Sequence, residues 1–103
     1  MMVARWQFEA RFGHKQTVID LMKRWDEEFG SQIGWTPEKC RRLTGSIGAL
    51  ESTIQDEILI KDLAELGAAW EKLATLEGHK QWGKDIEPYM VSGTPHWQIF
   101  HII

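Results

Sequence analysis

The sequence predicts an α+β domain whose elements follow the order βαββαβ. Apolar and polar residues alternate from Val3 to Phe12, which is typical of a strand with one buried face. An amphipathic helical pattern follows, then two strand-like runs, a second helical pattern and an apolar terminal run. A four-stranded antiparallel sheet with two helices on one face, the ferredoxin-like arrangement, satisfies this order.

The first strand and the first helix each have a well-defined apolar face. In the strand, the side chains predicted to face the helices are Ala4, Trp6, Phe8, Ala10 and Phe12. Over Thr17–Phe29, apolar residues recur at intervals of three and four, as in a helix packed on a sheet. The residues of that helical stripe are Val18, Leu21, Met22, Trp25 and Phe29.

Two strands are predicted next, at Cys40–Ile47 and Glu51–Ile60. Gly45 and Gly48 indicate a bend near the end of the first of these strands. The few residues between the two strands suit a short hairpin, so the strands are expected to be antiparallel neighbours.

The second helix is predicted to begin after Asp62, whose side chain can cap it, with Glu65 three residues further on. Gly78 interrupts it, and a short helical segment over His79–Glu87 follows. The last strand is predicted from about Pro95 to Ile103. The apolar stripe of the second helix comprises Leu63, Leu66, Trp70 and Leu73.

Composition predicts one domain over residues 1–103, since the chain has 103 residues and no linker or repeat. The net charge is −3 and the 12 basic residues are dispersed, which argues against nucleic acid as a partner. No apolar run is long enough for a membrane span. The single cysteine and the absence of a signal-peptide pattern suit the cytoplasm.

The unusual feature of the composition is its six tryptophans, which predict a thick core, a pocket or an interface.

The second face of the sheet predicts a homodimer. Arg5, Glu9 and Arg11 alternate with the buried residues of the first strand and form a polar face. The last strand is apolar on both sides, with Phe100 and Ile102 on one of them, which is unusual for a solvated face. The alternative to a dimer interface is that this face of the sheet is exposed to solvent. We favour two such faces meeting, with their arginines and glutamates interleaved and Phe100 and Ile102 in the interface.

The order of elements and one segment resemble the dimeric α+β barrel superfamily, in particular its antibiotic-biosynthesis-monooxygenase-like and NIPSNAP-like members. The segment runs from Trp70 through His79 to Trp82, where a helical aromatic residue is followed by a histidine-containing stretch. The resemblance implies a dimer with a pocket in each protomer between sheet and helices. It also implies a haem alternative, in which Gln7, Trp70 and His79 match the amide, tryptophan and iron-ligand positions of the haem-degrading members.

Two classes of function are compatible with these residues. One is a cofactor-independent monooxygenase that holds an apolar or aromatic small molecule, with His79, His14 or His101 as a base and His79 favoured. The other is a non-catalytic dimeric module for small-molecule binding or assembly. The candidate pocket residues are Trp6, Trp25, Trp70, Trp82 and Trp97. Their spacing also explains them as ordinary core residues, which we favour from sequence alone. The histidine and carboxylate spacings predict no metal site.

Overall fold

The computed structural model describes all residues, 1–103, and confirms the α+β fold class. The four strands form one antiparallel sheet. In chain numbering, the second strand pairs with the third, the third with the first, and the first with the fourth. They are β1 (Met2–Glu9), β2 (Cys40–Thr44), β3 (Thr53–Ile60) and β4 (His96–His101). The helices are α1 (Lys15–Glu28), α2 (Leu63–Thr75) and α3 (His79–Ile86). None of the helices has the length and apolar character needed to span a lipid bilayer.

β1 lies between β3 and β4, and its predicted alternation is confirmed in part, since Trp6 on the predicted buried face is only half-buried. Ala4 and Phe8 are buried against the helices. The strand ends earlier than predicted, and Phe12 is not a core residue but fully exposed. The reason is local: the chain turns at once into α1, with Gly13 at a φ of +83° and the His14 N–H bonded to the Arg11 carbonyl. Phe12 therefore lies at the tip of a turn.

The hairpin between β2 and β3 is longer than the sequence predicted. β2 ends at Thr44 and β3 begins at Thr53, so the predicted extensions to Ile47 and from Glu51 belong to the loop. The loop folds tightly against itself, because a Cβ added to Gly45 would lie 1.7 Å from the carbonyl oxygen of Leu50. Only glycine allows that approach.

The helical stripes are confirmed in part. α1 buries Val18, Met22 and Trp25. α2 begins as expected, with the Asp62 carboxylate accepting a hydrogen bond from the Glu65 N–H at 2.9 Å. The buried residues of α2 are Leu66 and Ala69, whereas Leu63 and Trp70 are 58% and 41% exposed. The buried side of α2 is thus rotated relative to the predicted one. β4 is also shorter than predicted, since only His96–His101 pairs with β1.

The face of the sheet that the helices leave uncovered is called the open face below. Arg5 and Arg41 both bond Glu57 there, with shortest N–O distances of 2.6 Å to its two oxygens. Burial alone would raise the pKa of Glu57, but the two arginines hold that pKa below its usual value. The guanidinium of Arg5 also lies 5.0 Å from the ring centre of Phe100. Of the charges expected to interleave between protomers, Arg5 is therefore already paired within one chain, and Glu9 accepts hydrogen bonds from the Ser52 and Thr53 hydroxyls.

Candidate functional site

A cavity of about 260 Å³ lies between the sheet and the helices. Nine of its eleven lining residues are hydrophobic, and the two polar ones are Asp56 and His79. Every tryptophan of the chain takes part in the lining, so we call it the tryptophan cavity. The six are Trp6, Trp25, Trp35, Trp70, Trp82 and Trp97.

One row of residues across the sheet forms the floor of the cavity. Asp56 on β3 is directly opposite Trp6 on β1, and Trp6 is directly opposite Trp97 on β4. On the other side, Asp56 is opposite Arg42 on β2. Residues paired in this way have Cβ atoms about 5 Å apart and point to the same face. The floor thus carries a carboxylate beside two indoles, and strand register alone places them together.

The helices and the segment after α1 add the remaining walls. Neighbouring indoles lie with ring centres 5.3 to 6.4 Å apart, at tilted or edge-to-face angles, and connect all six into one network. Such distances are those of favourable aromatic pairs. Trp25 and Trp82 are 8% and 6% exposed, whereas Trp70 and Trp97 are 41% and 36% exposed. The first pair therefore forms the inner wall and the second pair lies towards solvent.

Hydrogen bonds hold the two inner indoles in place. The Trp82 N–H donates to the carbonyl of Leu21 at 2.8 Å. The Trp25 N–H donates to Nε2 of His79, also at 2.8 Å. An indole nitrogen can only donate, so Nε2 of His79 must be unprotonated and the proton of the neutral imidazole must be on Nδ1.

This bond limits the chemistry available to His79. Burial lowers the pKa of His79, which favours the neutral ring. A neutral imidazole has one acceptor nitrogen, and Trp25 occupies it. In this arrangement His79 can donate a hydrogen bond through Nδ1, but it can accept a proton at Nε2 only after the bond to Trp25 breaks.

Asp56 belongs to a charge network with two carboxylates and one guanidinium. Arg42 bonds Asp56 at 2.6 Å through Nε and at 3.0 Å through a terminal nitrogen, and it bonds Asp26 on α1 at 2.9 Å. Burial raises the pKa of Asp56, although Arg42 opposes that rise. Arg42 lies towards a neighbouring, more polar cleft and does not line the tryptophan cavity. Asp56 is thus the acidic group presented to the tryptophan cavity.

The structure brings the five tryptophans named from the sequence together with His79. Sequence reasoning missed Trp35 and Asp56. Trp35 lies in the connection between α1 and β2, outside any helix or strand, so no periodicity predicted it. Asp56 follows the strand pattern of β3, but only the pairing register places it beside Trp6.

The other candidates from the sequence lie elsewhere. His14 packs on the ring of Tyr89, with ring centres 5.2 Å apart, and neither it nor His101 lines the cavity. Arg11 is exposed beyond the end of β1, and Ile102 is 52% exposed beyond β4.

Models of known protein families give no match to this sequence, and no curated protein sequence is significantly similar to it. Solved structures do match. A NIPSNAP family protein from Agrobacterium tumefaciens strain C58 superposes with a TM-score of 0.81 at 14% identity, covering 99% of this chain and 92% of the other. An uncharacterised NIPSNAP domain protein from Burkholderia xenovorans gives 0.72 at 18% identity, covering 100% and 95%. A protein from Nitrosomonas europaea, provisionally named an antibiotic biosynthesis monooxygenase, gives 0.68 at 10% identity, covering 100% and 99%.

The chain has the fold of these two groups. They are the groups that the sequence resembled, so the resemblance is confirmed at the level of structural neighbours. At these identities the likeness establishes the architecture and leaves the chemistry to the residues of the site.

Haem does not fit the residues present. Gln7, the amide expected beside the haem, lies on the open face, where its Oε1 accepts a hydrogen bond from Gln55 at 2.6 Å. His79, the expected iron ligand, has its Nε2 lone pair bound by Trp25. The cavity of about 260 Å³ is also below the roughly 300–1,000 Å³ typical of pockets for drug-sized ligands. No three His, Cys, Asp or Glu side chains are grouped so as to hold a metal ion.

Proposed function

We propose that the protein binds a small aromatic molecule in the tryptophan cavity. The observation that carries this proposal is the convergence of all six tryptophans, from strands, helices and a loop, on one cavity of about 260 Å³. A cavity of roughly 150 Å³ already accommodates benzene, so this one has room for a ring compound. Indole walls favour flat rings, because offset and edge-to-face contacts add about 0.5–1.5 kcal/mol per aromatic pair beyond area burial.

Titration calorimetry with 1-naphthol and its saturated counterpart, decahydro-1-naphthol, tests this proposal. The aromatic compound should bind more tightly, because only its ring can pair with the indoles. Trp70→Leu should weaken 1-naphthol binding by about two- to tenfold, since one aromatic contact is lost. Trp70 is a suitable target because it is 41% exposed and contributes little to the buried core.

Phe12→Leu is the matched control, because Phe12 is fully exposed and outside the cavity. It should leave the affinity for 1-naphthol unchanged. Absence of binding by wild type, or an equal effect of the two substitutions, would contradict the proposal.

A second candidate function is cofactor-independent monooxygenation of an electron-rich aromatic compound. The observation that favours it is the pair of polar groups, Asp56 and His79, in an otherwise apolar cavity on the fold shared with the antibiotic biosynthesis monooxygenase structures. In such a reaction the substrate supplies the electrons. For 1-naphthol, one oxygen atom of O₂ becomes the second carbonyl of 1,4-naphthoquinone, and the other leaves as water with the phenolic and ring hydrogens.

The second candidate predicts that 1-naphthol is converted to 1,4-naphthoquinone with one O₂ consumed per product. Asp56→Asn should slow conversion, because it removes the ionisable group from the floor of the cavity. Quinone absorbance and an oxygen electrode provide the readout. A rate equal to that in buffer, measured with bound 1-naphthol, would leave binding as the function and exclude this reaction for that compound.

A further inference from the structure

We propose that the tryptophan cavity selects an aromatic ligand that carries a positive charge, with the charged nitrogen held between indole faces and Asp56. This inference rests on the proposed binding function and specifies the class of ligand.

The charges around the cavity favour a cation. Asp56 is the one carboxylate in the lining, and no lysine or arginine lines it. His79 is neutral while it accepts the hydrogen bond from Trp25. Arg42 divides its hydrogen bonds between Asp56 and Asp26 and lies in the neighbouring cleft, so Asp56 is closer to the tryptophan cavity than Arg42 is. A bound cation would be attracted to this nearer carboxylate, whereas a bound anion would be repelled by it.

The indoles add attraction for the same sign of charge. The face of an aromatic ring is the negative end of its quadrupole, and tryptophan is the most effective side chain for cation–π binding. Six indoles around one cavity provide several faces and edges at short range. Cages of aromatic side chains recognise alkylated ammonium groups by this physics in unrelated proteins.

Strand register places the anion and the aromatic faces side by side. Asp56 and Trp6 are directly opposite each other on β3 and β1, and Trp97 is the next residue in the row. With Cβ atoms about 5 Å apart, a group lying over Trp6 is within the range of the Asp56 charge. Trp70 and Trp97, both partly exposed, border the way in from solvent. The aromatic body of the ligand can then contact the inner indoles.

Three probes of nearly one shape test the inference: benzyltrimethylammonium, its neutral carbon isostere neopentylbenzene, and the anion phenylmethanesulfonate. Titration calorimetry with wild-type protein should show the cation binding at least about tenfold more tightly than the anion. Asp56→Asn should weaken binding of the cation by about five- to tenfold and change binding of the neutral isostere by less than about twofold.

Asp26→Asn is the matched control, because it removes a carboxylate from the same Arg42 network without touching the cavity lining. It should weaken cation binding by less than about threefold. Thermal unfolding verifies that each variant is folded. If Asp56→Asn does not fold, the wild-type comparison of cation with anion decides alone.

The inference is overturned if the anion binds as well as the cation, or if a folded Asp56→Asn variant keeps the cation preference. In either case 1-naphthol binding would still support the proposed function. If 1-naphthol and all three probes fail to bind, the proposed function and this inference both fail.

Discussion

At the scale of single residues, the hydrogen bond from Trp25 to His79 determines the protonation state of the histidine. Nε2 accepts that bond at 2.8 Å, so a protonated ring with hydrogens on both nitrogens cannot keep it. Burial acts in the same direction and lowers the pKa of His79. Neutral His79 and the position of Trp25 are therefore coupled.

The stability of the protein should depend on pH through this coupling. Because the folded-state pKa of His79 is lowered, the neutral ring stabilises the fold above the unfolded-state pKa of about 6.5, and this contribution disappears as pH falls through the folded-state value. At pH 7.5, His79→Ala should cost about 1–3 kcal/mol, because the buried Trp25 N–H loses its acceptor. The difference between wild type and variant should shrink at lower pH, as measured by urea unfolding.

His101→Ala is the control, because His101 is exposed at the end of β4 and outside the cavity. Its effect should be within about 0.5 kcal/mol at every pH, as for most surface substitutions. A His79→Ala cost that stays constant from pH 7.5 downwards would contradict the coupling.

At the scale of elements, two glycines differ in the space available for a side chain. Gly45 ends β2 where the hairpin approaches itself, and an added Cβ would overlap the Leu50 carbonyl. Gly67 lies within α2, and nothing is within 4 Å of a Cβ added there. No close packing therefore requires a glycine at this position of α2.

The two substitutions to alanine should therefore change stability in opposite directions. Gly45→Ala should destabilise by about 1–3 kcal/mol, because backbone must move to relieve the overlap. Gly67→Ala should stabilise by about 0.5–1 kcal/mol, because alanine loses less conformational entropy in a helix. Urea unfolding measures both, and an equal sign for the two changes would show that this view of the hairpin or of the helix is wrong.

At the scale of the whole molecule, the open face remains our proposed surface for homodimer formation. Arg5, Arg41 and Glu57 satisfy one another within the chain, so two such faces can meet without burying an unpaired charge. Phe100 lies on this face and is 44% exposed, and it provides apolar area for the contact. This differs from the sequence prediction in one respect, since the arginines and glutamates need not interleave between protomers.

Light scattering in solution should give twice the chain mass of 12.0 kDa at micromolar concentration. Phe100→Glu should shift the protein towards the monomer, because it places a charge in the apolar part of the interface. Phe12→Glu, at an equally exposed phenylalanine in the turn before α1, should not. A wild-type monomer, or the same shift with both variants, would contradict this interface.

Periodicity predicted much of the fold and little of the site. The alternation in β1 and the stripe of α1 are local patterns, and the structure reproduces part of each, with Ala4 and Phe8 buried in β1 and Val18, Met22 and Trp25 buried in α1. The periodicity was misleading where the chain turns. Phe12 continues the apolar alternation of β1 in the sequence, but it lies in the turn after the strand and is exposed. In the site, Trp35 lies outside any helix or strand, so no periodicity predicted it. His79 was predicted as a site residue, but nothing in the sequence indicated that the Trp25 N–H would donate a hydrogen bond to its Nε2.

By itself, the sequence determined the order of the elements and the unusual supply of tryptophan, because both follow from residue types and their spacing along the chain. Only the tertiary structure decided what the tryptophans do. Cavity walls are made of residues distant in sequence, and the register of β3 against β1 is what places Asp56 beside Trp6. Alternation with the buried Ile54 and Ile58 assigns Asp56 to the helix-covered face, but a register shift of two residues would keep that face and place another residue beside Trp6, and no local pattern encodes that choice.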